Sequence, residues 1–151
     1  MAMKVTKVDV WAVEFRDEAG GLAHVLAPVA AAGANLECII ARRQADKFQA
    51  GLAFVTPIKG KKAQAAARAA GMEPAEGLTT LRVEGLDTPG SCARLSTAIA
   101  QAGVNMRGLS SMSAGKNFVA YIGLDSEADA ATVIKILGAG KKSAKKKRVR
   151  S

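Results

Sequence analysis

The segment Asp87-Thr88-Pro89-Gly90-Ser91-Cys92-Ala93-Arg94-Leu95, followed one helix later by Ala102-Gly103-Val104-Asn105-Met106, carries the architectural signal of this chain. Asp-Thr-Pro-Gly is a turn: Asp closes it through its own side chain, Pro presets one backbone angle and Gly supplies an unusual one. Leu95, Ala98, Ile99 and Ala102 then fall on one helical stripe, and Gly103 ends the helix. Seventy residues upstream the same plan recurs. Asp17, Gly20, Ala23, Gly33 and Asn35 align with Asp87, Gly90, Ala93, Gly103 and Asn105. Val13-Glu14 matches Val83-Glu84, and in the same frame Phe48 and Ala50 match Phe118 and Ala120. An internal repeat sets the architecture before any finer feature does.

Each copy reads as β-α-β-β-α-β. In the first, residues 4–16 read as one strand, with Trp11, Val13 and Phe15 on one face by the two-residue period. A helix follows with Leu22, Val25, Leu26 and Val29 on its stripe; Pro28 lies inside it and predicts a kink. Strands are expected over 35–43 and 48–56, joined at Ala45-Asp46-Lys47, then a helix over 61–70 and at most a short strand over 72–77. The second copy predicts a strand over 79–85, a helix over 91–102, strands over 104–113 and 117–124, and a helix over 127–137. Asp125 or Ser126 caps that last helix. The fold expected is α+β: two tandem ferredoxin-like units, combined into one extended antiparallel sheet with helices on one face. The boundaries are 1–76 for the first unit, 77–139 for the second and 140–151 for a basic disordered tail.

Composition fits this plan. The chain has 151 residues, 49% hydrophobic but only 4% aromatic, so Ala, Val, Ile and Leu build the core. No apolar run reaches the roughly 20 residues of a membrane helix, and the N-terminal residues lack the apolar stretch of a signal peptide. A cytoplasmic location without membrane contact is the expectation. The net charge of +9 is concentrated at one end. Lys141, Lys142, Lys145, Lys146, Lys147, Arg148 and Arg150 are seven cations with no acid among them; removing them from the net +9 leaves +2 for the rest. So many like charges do not pack.

The two copies of the turn resemble the signature of the ACT domain family. In that family an Asp or Asn opens an Asp-x-Pro-Gly turn, a helix follows, and a Gly-hydrophobic-Asn-hydrophobic step leads to the second strand. Asp87 to Leu95 with Ala102 to Met106 matches it. Asp17-Glu18-Ala19-Gly20-Gly21-Leu22-Ala23 with Ala32-Gly33-Ala34-Asn35-Leu36 is similar but lacks the Pro. The resemblance implies a regulatory module that senses a small molecule, usually an amino acid, held between the turn of one domain and the sheet edge or second strand of a neighbour. The matching residues are Asp17, Gly20 and Asn35, and Asp87, Gly90 and Asn105. Some serine-binding members carry His two positions before the turn's acid; this chain has Phe15 and Gly85 there.

The chemistry supports that assignment. Glycine lets backbone come close to a ligand. A helix N-terminus favours a carboxylate through its free amides and dipole. An Asp can hold an ammonium group, and an Asn amide both donates and accepts. Each feature also has a purely structural account as turn closure and helix stop.

Other residues point to no chemistry. His24, the only histidine, is expected on the exposed side of the first helix, opposite Arg94 of the second copy. Cys38 and Cys92 form no redox or metal spacing and are expected to pack as buried thiols. Arg42, Arg43 and Arg107 read as solvated edge charges that block strand pairing, or as carboxylate contacts at a subunit seam. No catalytic set, phosphate loop or metal spacing is present, so the chain is expected to be a non-enzyme with no cofactor. An RNA-binding role for the sheet fails on parity: Phe118 and Tyr121, three apart, fall on opposite faces.

Three functional readings result. The first is an amino-acid sensor, homodimeric through its sheet edges, acting on a separate enzyme or regulator. The others are a ligand-free scaffold and a nucleic-acid or polyanion binder through the tail.

Overall fold

The structure, a computed structural model, describes the backbone of residues 3–150 and the side chains of residues 3–138. The elements in chain order are β1 (Lys4–Val8), β2 (Trp11–Arg16), α1 (Gly21–Ala31), β3 (Cys38–Arg43), β4 (Ala50–Thr56), α2 (Lys61–Ala69), β5 (Glu73–Pro74), β6 (Thr79–Leu86), α3 (Ser91–Gln101), β7 (Met106–Ala114), β8 (Asn117–Leu124) and α4 (Glu127–Arg150). Among the described residues no helix is long and apolar enough to cross a membrane.

The strands form two four-stranded antiparallel sheets, ordered β3-β4-β2-β5 and β1-β6-β8-β7. The α+β class and the two ferredoxin-like units are therefore present. The single extended sheet expected from the sequence is not: each sheet is complete at four strands.

One compact unit spans Asp9–Glu76. Its first strand β2 is flanked by β4 and β5. Alternation along β2 and β4 turns Trp11, Val13, Ala53 and Val55 inward against Val25 and Val29 of α1 and Ala63 and Ala67 of α2. Small alanines let α2 lie close to the sheet. Pro28 is accommodated within α1, which runs on to Ala31.

The other unit joins Met1–Val8 to Gly77–Ser151. Its fourth strand is β1, which pairs with β6 from Lys4↔Glu84 to Val8↔Thr80. Residues 4–16 are thus two strands in two sheets, and the first eight residues belong with the second copy rather than the first. The continuous alternation conceals the change because nothing at Asp9-Val10 interrupts it. Met3 is buried in this unit's core with Leu81, Val83, Leu95, Ile99, Phe118, Ile122 and Val133, and Lys7 bonds Glu127 of α4 at 2.6 Å.

The repeat frame shifts at the β3–β4 hairpin. Val13 pairs with Ala53 and Val83 with Ala120, so Ala53, not Ala50, corresponds to Ala120. Phe48 is 90% exposed, whereas Phe118 is buried. The helix α4 extends to Arg150, past the expected end at Leu137. The side chains of the basic segment, including Lys141, Lys142 and Arg150, lie outside the described residues, and so does the polyanion reading that depends on them.

Candidate functional site

Both strand–helix turns are built alike. β2 ends at Arg16, and Gly20 takes φ 84°, a left-handed conformation, to start α1. β6 ends at Leu86, and Gly90 takes φ 84° to start α3. A residue with a Cβ would be strained at either glycine. The Gly21 amide donates to Glu18 O and the His24 amide to Gly20 O, each at 3.0 Å. In the second unit Ser91 donates to Thr88 O at 3.0 Å and Arg94 to Gly90 O at 2.9 Å. The remaining first-turn amides of a helix have no intrahelical acceptor and favour an anion.

A hollow opens at each turn. The first, about 700 Å³, is lined by Glu14, Phe15, Glu18, Gly20, His24 and Gln49, among others. The second, about 580 Å³, is lined by residues 87–93 of the turn and by Ser111, Met112, Ser113 and Phe118 from β7 and β8.

The structure sorts the six sequence-derived candidates. Gly20, Asp87 and Gly90 line a hollow. Asp17 is not in the lining; its carboxylate pairs with Arg43 Nε of β3 at 2.5 Å. Asn35 and Asn105 are exposed and lie beyond the far ends of α1 and α3. The eleven residues of each helix put about 16 Å between turn and asparagine. No single unit brings the three together.

Electrostatics differ between the turns. Around the first, Glu14 pairs with Lys47 at 2.7 Å and Arg16 with Glu18 at 3.7 Å. The hydrogen bond from Lys47, then that from Gln44, holds the Glu14 carboxyl below its ordinary value. Around the second, the lining is rich in hydroxyls. Ser91, buried, accepts from the Thr88 amide at 3.0 Å and can donate to Leu86 O or Thr88 O. Cys92 donates to Ser111 Oγ at 3.3 Å. Neither cysteine is fully buried as expected; both are half-buried, because each lies where a rim strand or helix start leaves one side open. Burial still pushes the Cys38 thiol up.

The sequence marks Arg94 only as the counterpart of exposed His24. It folds back onto its own turn: Nη1 donates to Pro89 O at 3.0 Å, and Nη2 to Thr88 Oγ1 at 2.7 Å and Ser91 Oγ at 3.3 Å. The signal available was a basic residue four positions after each turn glycine.

No family model matches the sequence, and no curated protein matches it. Solved structures share the fold. The chain is similar to protein BT0572 from Bacteroides thetaiotaomicron, with a TM-score of 0.73 at 15% identity over 87% of this chain and 88% of that one. It is similar to the regulatory subunit of aspartate kinase from Thermus thermophilus, with a TM-score of 0.58 at 18% identity over 90% and 97%. It is also similar to E. coli aspartokinase III in complex with lysine and aspartate, with a TM-score of 0.53 at 14% identity over 90% of this chain and 32% of that one. The tandem fold expected from the ACT resemblance is the fold these proteins share.

Proposed function

We propose that this chain is a non-enzymatic regulatory protein of the ACT type that binds a free amino acid at a strand–helix turn. The observation that carries this reading is the hollow at a left-handed glycine and helix start, found at the same place in both units. The likeness to an aspartate kinase regulatory subunit supports a role exerted on a separate enzyme chain, and the lysine and aspartate bound to the E. coli enzyme support an amino-acid effector. Asn35 and Asn105 enter this reading only at a site shared with another unit, as the ACT resemblance implies. Exposed edge strands β3 and β7 favour a homodimer in which such sharing occurs.

The test is a thermal-shift screen against the twenty amino acids. A ligand that binds only the native state adds about 2.7 kcal/mol of stability at a hundredfold excess over its dissociation constant. A reproducible shift with one or two amino acids is expected. No shift with any of them would sink the sensor reading.

A further inference from the structure

The β3–β4 and β7–β8 hairpins differ in length. In the second unit Gly115 and Lys116 alone join Ala114 to Asn117, its register partner. In the first, the Gln44 amide donates to Ala50 O at 2.9 Å, and residues 45–49 form the loop. Both hairpins are tied to their strand–helix turn by the same bond: the Asp17 amide donates to Gln49 O and the Asp87 amide to Lys116 O, each at 2.9 Å. Gln49 therefore corresponds to Lys116, and the residues added in the first unit lie just before it. They include Phe48, which is 90% exposed. The two residues after it, Gln49 and Ala50, line the first hollow.

Phe48 takes no part in the core; the ring that packs there is Phe15. Beside it, however, is an apolar wall: Phe15, Ala19 and Val25 line the same hollow. The backbone next to Phe48 is strained. Gln49 takes φ 53°, and among the described residues it is the one non-glycine residue with a positive φ, a conformation that costs an L residue energy. Rotation about that angle carries Lys47 and Phe48, which precede it, whereas the Gln49 carbonyl follows it and keeps its bond to Asp17. The strain is thus held at the bond that aims Phe48. The Lys47 tie to Glu14 at 2.7 Å joins two exposed groups, and such a pair restrains the loop only weakly.

We propose that residues 45–49 are a lid on the first hollow, with Gln49 as the hinge and Phe48 as the seal that closes over a bound ligand. The second hollow, served by a two-residue turn, has no such lid. This rests on the amino-acid reading above and adds the regulation of one of its two sites. A ligand in the hollow gives the Phe48 ring an apolar contact and takes it out of water, so binding shifts the loop toward its closed form.

Isothermal titration of the full chain with the twenty amino acids identifies a binder, and three variants test the lid. In Phe48→Trp that binder is expected to move the fluorescence emission to shorter wavelength as the side chain leaves water; Trp11, already buried, gives a constant background. Phe48→Ser is expected to weaken binding about tenfold, while the urea midpoint read by Trp11 stays where it is. Gln49→Gly removes the strain of the open loop and is expected to weaken binding about two- to fivefold. Unchanged emission in Phe48→Trp, or unchanged affinity in Phe48→Ser, overturns the lid and leaves the amino-acid reading standing. A lower urea midpoint in Phe48→Ser overturns it as well, since the ring would then support the resting fold. Failure of all twenty to bind wild type removes both.

Discussion

The ring of Phe15 on β2 lies across Gly51, its register partner on β4, so closely that a Cβ on Gly51 would stand 2.2 Å from Phe15 Cζ. The second sheet reverses the pair. Gly85 on β6 opposes Phe118 on β8, and a Cβ there would meet the ring at 2.9 Å. Each unit keeps one aromatic ring against one glycine, on exchanged strands, and each ring lines its unit's hollow.

Gly51→Ala is expected to destabilise the Asp9–Glu76 unit by about 1–3 kcal/mol, the usual cost of overpacking. Urea unfolding followed by Trp11, the only tryptophan and a buried member of that unit's core, reads it directly. Adding Phe15→Leu recovers part of the loss. Gly85→Ala, with the wider contact, costs less and leaves the Trp11 transition in place.

Deleting residues 1–8 removes the fourth strand of the Gly77–Ser151 unit together with buried Met3. A loss of about 3 kcal/mol or more is expected for that unit. The Trp11 transition stays. Hydrogen exchange along β6 separates the outcomes: if the β6 amides that face β1, rather than β8, keep their protection in the deletion variant, the strand assignment is wrong.

Ser91→Ala strips the turn of the hydroxyl that accepts from Thr88 N–H and reaches Leu86 O. Because Ser91 is buried, about 1–3 kcal/mol of stability is expected to go with it. Thermal unfolding by circular dichroism measures the change, and Ser91→Thr serves as the comparison that keeps the hydroxyl.

The Lys47 bond lowers the Glu14 carboxyl in the folded chain. Its contribution is therefore present above the unfolded carboxylate range and lost as pH falls through the folded value. Both groups are exposed, so the effect on global stability is small. In Lys47→Met the Glu14 carboxyl is expected to titrate at higher pH, which a carbon NMR titration detects; an unchanged midpoint would dismiss the pairing.

Local signals were sufficient for most elements. β8 over 117–124 and the starts of α2, α3 and α4 stand where turn residues and periodicity put them. What failed was non-local. β1 and β2 alternate without a break, and only pairing with β6 tells Lys4–Val8 apart. Matching Phe48 with Phe118 followed residue identity, whereas the extra hairpin residues before Ala50 move the aromatic role to Phe15. At the site, the turn glycines were legible because a left-handed backbone demands them. Arg94 was not, because its role depends on a side chain folding back over its own turn.

The position of β1 sets an order for biosynthesis. Val8 leaves the ribosome long before Leu124, and at about 5–20 residues per second the delay is roughly 6–23 s. Before that interval ends the Asp9–Glu76 unit already has all of its strands, while β1 still waits for its sheet to be completed. β1 is thus translated ahead of every other strand of the sheet it joins, and a chaperone acting on this nascent chain would meet Met3 and Val5 uncovered until β6 is made.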